Sequence, residues 1–398
     1  MPTKLLNRNY ILLIAVTFCS SLTAQLLNTT MPLFLVNALG SSTSISGLLA
    51  GLYTIVACVA RPIAGIWVDR IGRRPFIIAG MVVFGVSCIL FGFTAGVALL
   101  VLFRVFQGIG FGVSSTASST AASDNIPPAR LGEGLGYIGM TNSLPMLIGP
   151  SIALLLIGTG SYSVPFVWAG ILCIVGAVLA LFSKENEEVI VQVKSAAKER
   201  KLALSDFYEK SALPPAVVNL FTALAAACVM VYGALFAQYK GYNCINAFYV
   251  VSALGMILIR ILTAKVVDKV NAYLIAIPAC LAWAVSFAAM LIVDHSVMFL
   301  VAGAVYGICL GLSQTVLNTV ALRGVEADRR GAASATFMFC FDGGIGFGSL
   351  FWGILIDFAK GNYDAMIIAG IVMLVIAAAL AAVFMLRGGG KMENANAD

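Results

Sequence analysis

The sequence predicts an all-α polytopic membrane protein of twelve transmembrane helices, arranged as two pseudo-symmetric halves of six. Three observations carry that prediction. Of 398 residues, 61% are hydrophobic and only 11% charged, with a mean hydropathy of +0.99, more apolar than a soluble core requires. Apolar stretches of about 18 residues or more recur along the whole chain, each long enough to cross roughly 30 Å of hydrocarbon as a helix. The second half of the chain also repeats the first at a fixed offset. Helices are expected because lipid offers no partner to a backbone N–H or C=O, and the strand-length alternation of a barrel is absent.

In order, the spans are 9–36, 45–67, 75–95, 97–121, 134–158, 163–183, 214–238, 244–267, 271–293, 296–322, 332–358 and 363–387. The first follows Lys4 and Arg8 and has the flavour of a signal peptide. Its apolar run is too long for one and a second span follows at once, so it is expected to remain as an uncleaved helix. The turn after the second span, "VDRIGRR" (68–74), packs Asp69, Arg70, Arg73 and Arg74 between two apolar runs. A charge-rich segment, 184–213, leads to Pro214 and Pro215 and divides the spans six and six. The expected organisation is therefore an N-terminal half 1–183, a linker 184–213, a C-terminal half 214–387 and a tail 388–398.

Orientation follows from lysine and arginine. With the N-terminus inside, only Lys240 and Lys360 fall in outer loops, and Arg61, Arg104 and Arg260 lie within or at the ends of spans. Every other basic residue is on the inner side, which places both termini and the linker in the cytoplasm. The net charge of +6 is thus a matter of topology and does not point to nucleic acid. Eight of the nine cysteines fall inside apolar runs and Cys244 lies at the edge of one, so they read as small hydrophobic residues with no disulfide framework. No Cys-x-x-Cys pair is present, and no metal or cofactor is expected.

A shift of 199 residues aligns Arg61 with Arg260, Asp69 with Asp268, Arg70 with Lys269, Arg130 with Arg329, Gly132 with Gly331 and Gly149 with Gly348. It also aligns "GIGFGVSSTASSTAA" (108–122) with "GICLGLSQTVLNTVA" (307–321), identical at seven of fifteen positions. One register holding across so many residues, with charges in phase, indicates a duplicated six-helix unit. Parallel repeats of this kind build secondary transporters.

The motifs point the same way. "GIWVDRIGRR" (65–74), with Gly65, Asp69, Arg70, Gly72, Arg73 and Arg74, resembles the loop signature between the second and third helices of the major facilitator superfamily. "RVFQGIGFG" (104–112) resembles that family's fourth-helix Arg-x-x-Gln-Gly, and "LPMLIGPSIA" (144–153) its antiporter signature, with Ala153 where a glycine is usual. With "RLGEGLGY" (130–137) and "FDGGIGFG" (341–348), the chain is similar to bacterial drug and metabolite efflux members. The resemblance implies the major facilitator fold, a bacterial inner membrane location, a monomer in the lipid bilayer, and a substrate cavity between the halves lined mainly by the first, fourth, seventh and tenth helices.

Physical roles can be assigned to these residues. Asp69 at the end of the second helix meets an unfavourable dipole unless a cation or another helix N-terminus compensates it. It is expected to clasp the eleventh helix near Gly331, and Asp268 the fifth near Gly132. Arg70, Arg73, Arg74, Arg130, Lys269 and Arg329 complete this gating set; the alternative for Arg70, Arg73 and Arg74 is that they act only as topology determinants. Asp342, about ten residues and so about 15 Å into the eleventh span, is an intramembrane acid and a candidate proton carrier or cation anchor; the alternative is a structural pair with an arginine, or a neutral acid bonded to a neighbouring helix. Arg104 is either its coupled partner or a snorkelling surface arginine. Gln25, Asn28, Gln107, Asn142, Tyr232, Gln238, Gln314 and Asn318 are polar groups within spans, candidates for substrate contact or for interhelical bonding.

No HExxH, GxSxG or Walker A sequence occurs, and His295 is the lone histidine, so enzymatic chemistry and ATP-driven pumping are not expected. Two readings stay open. One is proton-coupled efflux of a small amphiphilic molecule, favoured by the motifs and the scarcity of buried charge. The other is proton-coupled import of a small polar metabolite or organic acid.

Overall fold

The computed structural model describes residues 5–127, 130–184, 208–263, 272–292, 295–323, 325 and 330–392, without the side chains of a few positions that include Asp69 and Arg70. Asp268, Lys269 and Arg329 lie outside the described residues.

The described chain is helical throughout. The helices are α1 Arg8–Leu33, α2 Thr43–Ile71, α3 Arg74–Gly92, α4 Val97–Ser123, α5 Leu131–Ile157, α6 Ser163–Leu181, α7 Leu213–Lys240, α8 Ile245–Thr263, α9 Ala272–Ile292, α10 Ser296–Leu322, α11 Arg330–Phe358 and α12 Tyr363–Met392. Eleven are long and apolar enough to cross a membrane, and Ile245–Arg260 is a shorter apolar helix. Starts and stops follow local chemistry. Asn7 caps α1 by accepting from the Tyr10 N–H, Pro214 and Pro215 sit in the first turn of α7, and Gly241 ends it in the left-handed conformation at φ 76°. Between α2 and α3 the chain turns at Gly72, whose φ of 134° only glycine adopts readily.

The helices pack as two compact units, one of Met1–Ser41 and Leu52–Leu202, the other of Ser42–Gly51 and Ala203–Asp398. The boundary cuts across α2, because its first turns pack on α7 and α11. The two units share one internal plan. In the first, α1 packs on α4, α5 and α6, and α3 on α4 and α6; in the second, α7 packs on α10, α11 and α12, and α9 on α10 and α12.

The aligned glycine motifs explain part of this likeness at atomic contact. A Cβ at Gly108 would stand 2.8 Å from the Tyr53 carbonyl oxygen, and one at Gly112 2.7 Å from that of Ala57. At Gly307 it would overlap the Ser252 carbonyl, and at Gly311 it would stand 3.1 Å from the Met256 carbonyl oxygen. Both members of each pair are related by the same 199-residue shift. Glycine at these positions lets α4 lie directly on α2, and α10 on α8, so small residues substitute for a hydrophobic driving force that lipid does not supply.

Candidate functional site

Arg104 is fully buried. The α4 backbone sets it one turn before Gln107, and its Nη1 donates to Gln107 Oε1 at 2.8 Å. Gln107 Nε2 in turn donates to the Ser87 carbonyl on α3 at 3.3 Å. The guanidinium carbon lies 5.2 Å from the centroid of the Tyr53 ring and 5.4 Å from that of Phe91. Among the described residues, Arg104 Nε and Nη2 and the Tyr53 hydroxyl have no hydrogen-bond partner, and no carboxylate pairs with the arginine.

Magnitudes decide how to read this cage. Placing an arginine deep in a membrane helix costs roughly 2.5–3.5 kcal/mol or more. Each aromatic face returns roughly 0.5–2 kcal/mol, while each unmade buried hydrogen bond costs about 1–3 kcal/mol. The arrangement is close to neutral at best, so stability alone does not account for it. The repeat indicates that the fold does not require a charge there. The counterpart of Arg104 is Gly303, where a Cβ would meet the Phe248 ring at 2.6 Å. The second unit fills this region with the stacked rings of Tyr242, Phe248 and Phe299.

The candidate gating residues separate into distinct roles. Arg73 is almost fully buried and pairs through Nε with Asp124 at 2.9 Å, while its Nη1 donates to the Val68 carbonyl at 3.2 Å. It therefore ties the end of α2 to the end of α4. Arg74 donates to the Leu181 carbonyl at the end of α6. A Cβ added at Gly65 would have nothing within 4 Å, so packing does not demand glycine at that position. Arg130 is exposed in the turn before α5.

The candidate substrate residues belong to both units, Gln25, Asn28, Gln107 and Asn142 to the first and Tyr232, Gln238, Gln314 and Asn318 to the second. Gln25 and Asn28 are half-buried on α1, with Gly149 of α5 seated on the Gln25 Cβ. Asn142 accepts from Ser21 Oγ at 2.9 Å. Gln238 is exposed near the end of α7, and Asp342 is half-buried on α11. Gln314, also half-buried, donates to Asn219 Oδ1 at 2.9 Å, and Asn318 Oδ1 is buried without a partner among the described residues. Tyr232 is fully buried, and its hydroxyl lies 2.8 Å from the Ser349 carbonyl and 3.3 Å from that of Thr43, donating to this pair. It thus fastens α7 to α11 and to the first turn of α2.

That first turn carries a feature the sequence reading missed. Asp357, near the end of α11, accepts from the Thr43 N–H at 3.1 Å, the Ser44 N–H at 2.8 Å and the Thr43 hydroxyl at 2.5 Å. A carboxylate on the free N–H groups of a helix start is favourable twice over, by hydrogen bonding and by the dipole. Close approach makes it reachable. A Cβ at Gly353 would overlap the Thr43 carbonyl, and one at Gly47 that of Ser349. The run "SSTS" (41–44) is an N-cap signal; its partner, 314 positions away, left none.

A family model described as Major Facilitator Superfamily matches residues 13–349. The chain belongs to this superfamily. Two relatives align with most of its length. An MFS-type transporter of Methanocaldococcus jannaschii is 24% identical over 88% of this chain and 92% of its own length. Multidrug resistance protein 2 of Bacillus subtilis is 26% identical over 66% of this chain and 67% of its own length. Among solved structures, a mutant of the nucleoside transporter NupG superposes with a TM-score of 0.78 at 12% identity, over 95% of this chain and 99% of that one, which concerns the fold alone. As a major facilitator protein, this multi-pass membrane chain is a transmembrane transporter of small molecules.

Proposed function

We propose that the protein is a proton-driven exporter of a small amphiphilic molecule, exposing one set of side chains to each side of the membrane in turn. The observation that carries this reading is the chemistry of α1, α4, α7 and α10. Their in-span polar groups are amides and hydroxyls, with Arg104 as the buried cation. Neutral amides and hydroxyls suit a compound that partitions into lipid, whereas a sugar or organic acid needs more fixed polar partners. The likeness to a multidrug resistance protein supports the same direction of transport.

In this reading Asp342 carries the proton, with Arg104 as its coupled charge, and Gln25, Asn28, Gln107, Asn142, Gln238, Gln314 and Asn318 contribute to the substrate surface. Tyr232 acts at the edge of that surface as a fastener. The loop 65–74, with Asp69 and Arg70, and its repeat counterpart with Asp268 and Lys269, together with Arg130 and Arg329, govern opening on the cytoplasmic side. The protein works as a monomer in a bacterial inner membrane with both termini in the cytoplasm.

One observation favours the second reading, import of an organic acid. The uncompensated guanidinium of Arg104 would welcome a carboxylate. Proton release by the purified protein, measured against a panel of lipophilic cations and organic acids, distinguishes the two. Release triggered by cations supports export, and release or uptake triggered only by acids supports import.

A further inference from the structure

A chain of amide groups in the second unit has a fixed polarity. Asn219 is fully buried on α7. Its Nδ2 faces the Phe337 carbonyl on α11 at 3.4 Å. A backbone carbonyl can only accept, so the side-chain NH2 of Asn219 must be on that side and its Oδ1 on the other. Oδ1 then accepts from Gln314 Nε2 on α10 at 2.9 Å, while the Thr222 hydroxyl donates to the Asn219 backbone carbonyl at 2.9 Å. With its own NH2 held by Asn219, Gln314 must present its Oε1 away from α7. That oxygen makes no hydrogen bond among the described residues. One helical turn later, on the same face of α10, Asn318 Oδ1 is buried and also lacks a partner among them.

Two carbonyl oxygens on one face of α10 thus have no donor among the described residues, Gln314 Oε1 accessible and Asn318 Oδ1 buried. A buried acceptor such as Asn318 Oδ1 is costly unless something donates to it. We infer that Gln314 and Asn318 are an acceptor pair that recognises an N–H donor on the transported molecule, a protonated primary or secondary amine. Asn219 does not touch the molecule. It is a positioning residue that turns Gln314 so that its oxygen, and not its NH2, faces the substrate. The inference rests on the transporter reading and specifies its substrate class. A site built around acceptors discriminates strongly against an isostere that has no donor to offer.

The test is equilibrium binding to the purified full chain of two lipophilic monocations of nearly equal size. Desipramine has a secondary ammonium with N–H donors, and its quaternary relative N-methylimipraminium has none. The wild type is expected to bind desipramine at least about tenfold more tightly. Asn219→Leu, close in volume, and Gln314→Leu, at a half-buried position, should each bring the ratio of Kd values close to one. Asn219→Asp should keep the wild-type ratio, because a protonated aspartic acid donates to the Phe337 carbonyl and accepts from Gln314 as asparagine does. A residue with only a structural role would lower both affinities together and leave the ratio alone. Equal affinity for the two cations in the wild type, or an unchanged ratio in both leucine variants, overturns the inference and leaves the export reading standing. If neither cation binds, the export reading and the inference fall together.

Discussion

Asp357 and Thr43 lie 314 positions apart in the chain, yet the carboxylate of one closes the helix start of the other through both its N–H and its hydroxyl. The contact joins the first turn of α2 to the end of α11 and explains why Ser42–Gly51 packs with the second unit. Asp357 is exposed, so its contribution belongs at the modest end for capping, about 1 kcal/mol. Asp357→Ala should lower thermal stability in detergent by that amount, and Asp357→Asn, which keeps one acceptor oxygen, by less. Raised ionic strength should shrink the difference. An unchanged melting curve in Asp357→Ala would show that the cap contributes nothing.

Arg104 should behave in the opposite sense. Arg104→Met removes a desolvated charge and two unmade hydrogen bonds from an aromatic cage, so stability should hold or rise by about 1 kcal/mol, while transport falls at least about tenfold. Arg104→Lys keeps the charge without the planar contact to Tyr53 and Phe91 and should also be impaired. Thermal denaturation and transport, measured on the same preparations, check both parts. A loss of several kcal/mol in Arg104→Met would make the arginine a structural element.

The paired glycines give a contrast between packing and mechanism. Gly307→Ala drives a methyl into the Ser252 carbonyl and should sharply reduce the yield of folded protein. Gly65→Ala meets nothing within 4 Å and should fold normally. If the loop 65–74 gates transport, Gly65→Ala should still slow turnover. Size-exclusion profiles and transport rates of the two variants separate these effects.

Asp342→Asn should abolish uphill transport and spare downhill exchange, because an asparagine cannot carry a proton but leaves the substrate surface nearly intact. Combined with Arg104→Met, the loss should be less than additive if the two residues act as one unit. Asp69→Asn should insert and express normally, since the basic residues set topology, and should transport poorly. Full uphill activity in Asp342→Asn would remove it as the proton carrier.

Much of this architecture can be read from the sequence. Span positions follow from apolar runs, because the length of a membrane helix is set by bilayer thickness. The glycine repeat marks contacts as well as duplication, with Gly108 on Tyr53 and Gly307 on Ser252 keeping the same shift. The Arg104–Gln107 pair could be anticipated from its spacing, but not its cage, since Tyr53 and Phe91 arrive from other helices. Asn219 left no signal. A single amide in an apolar run gives no periodicity, and its meaning lies in which carbonyl it meets across the packing. The Asp357 cap was hidden for the same reason. Tyr232, expected at the substrate surface from its place on α7, turns its hydroxyl to two backbone carbonyls, a choice made by tertiary packing that spacing cannot reveal.

Export of an amphiphilic cation in exchange for protons is decided in everted membrane vesicles energised to be acidic inside. Ethidium, a permanent cation with N–H donors, avoids the passive dissipation of the pH gradient that a weak base causes. Vesicles containing the protein should accumulate ethidium and release protons in proportion to it, and vesicles with Asp342→Asn should do neither. Gradient-driven uptake of an organic acid into right-side-out vesicles, with no response to ethidium in everted ones, would be incompatible with export and would make the protein an importer.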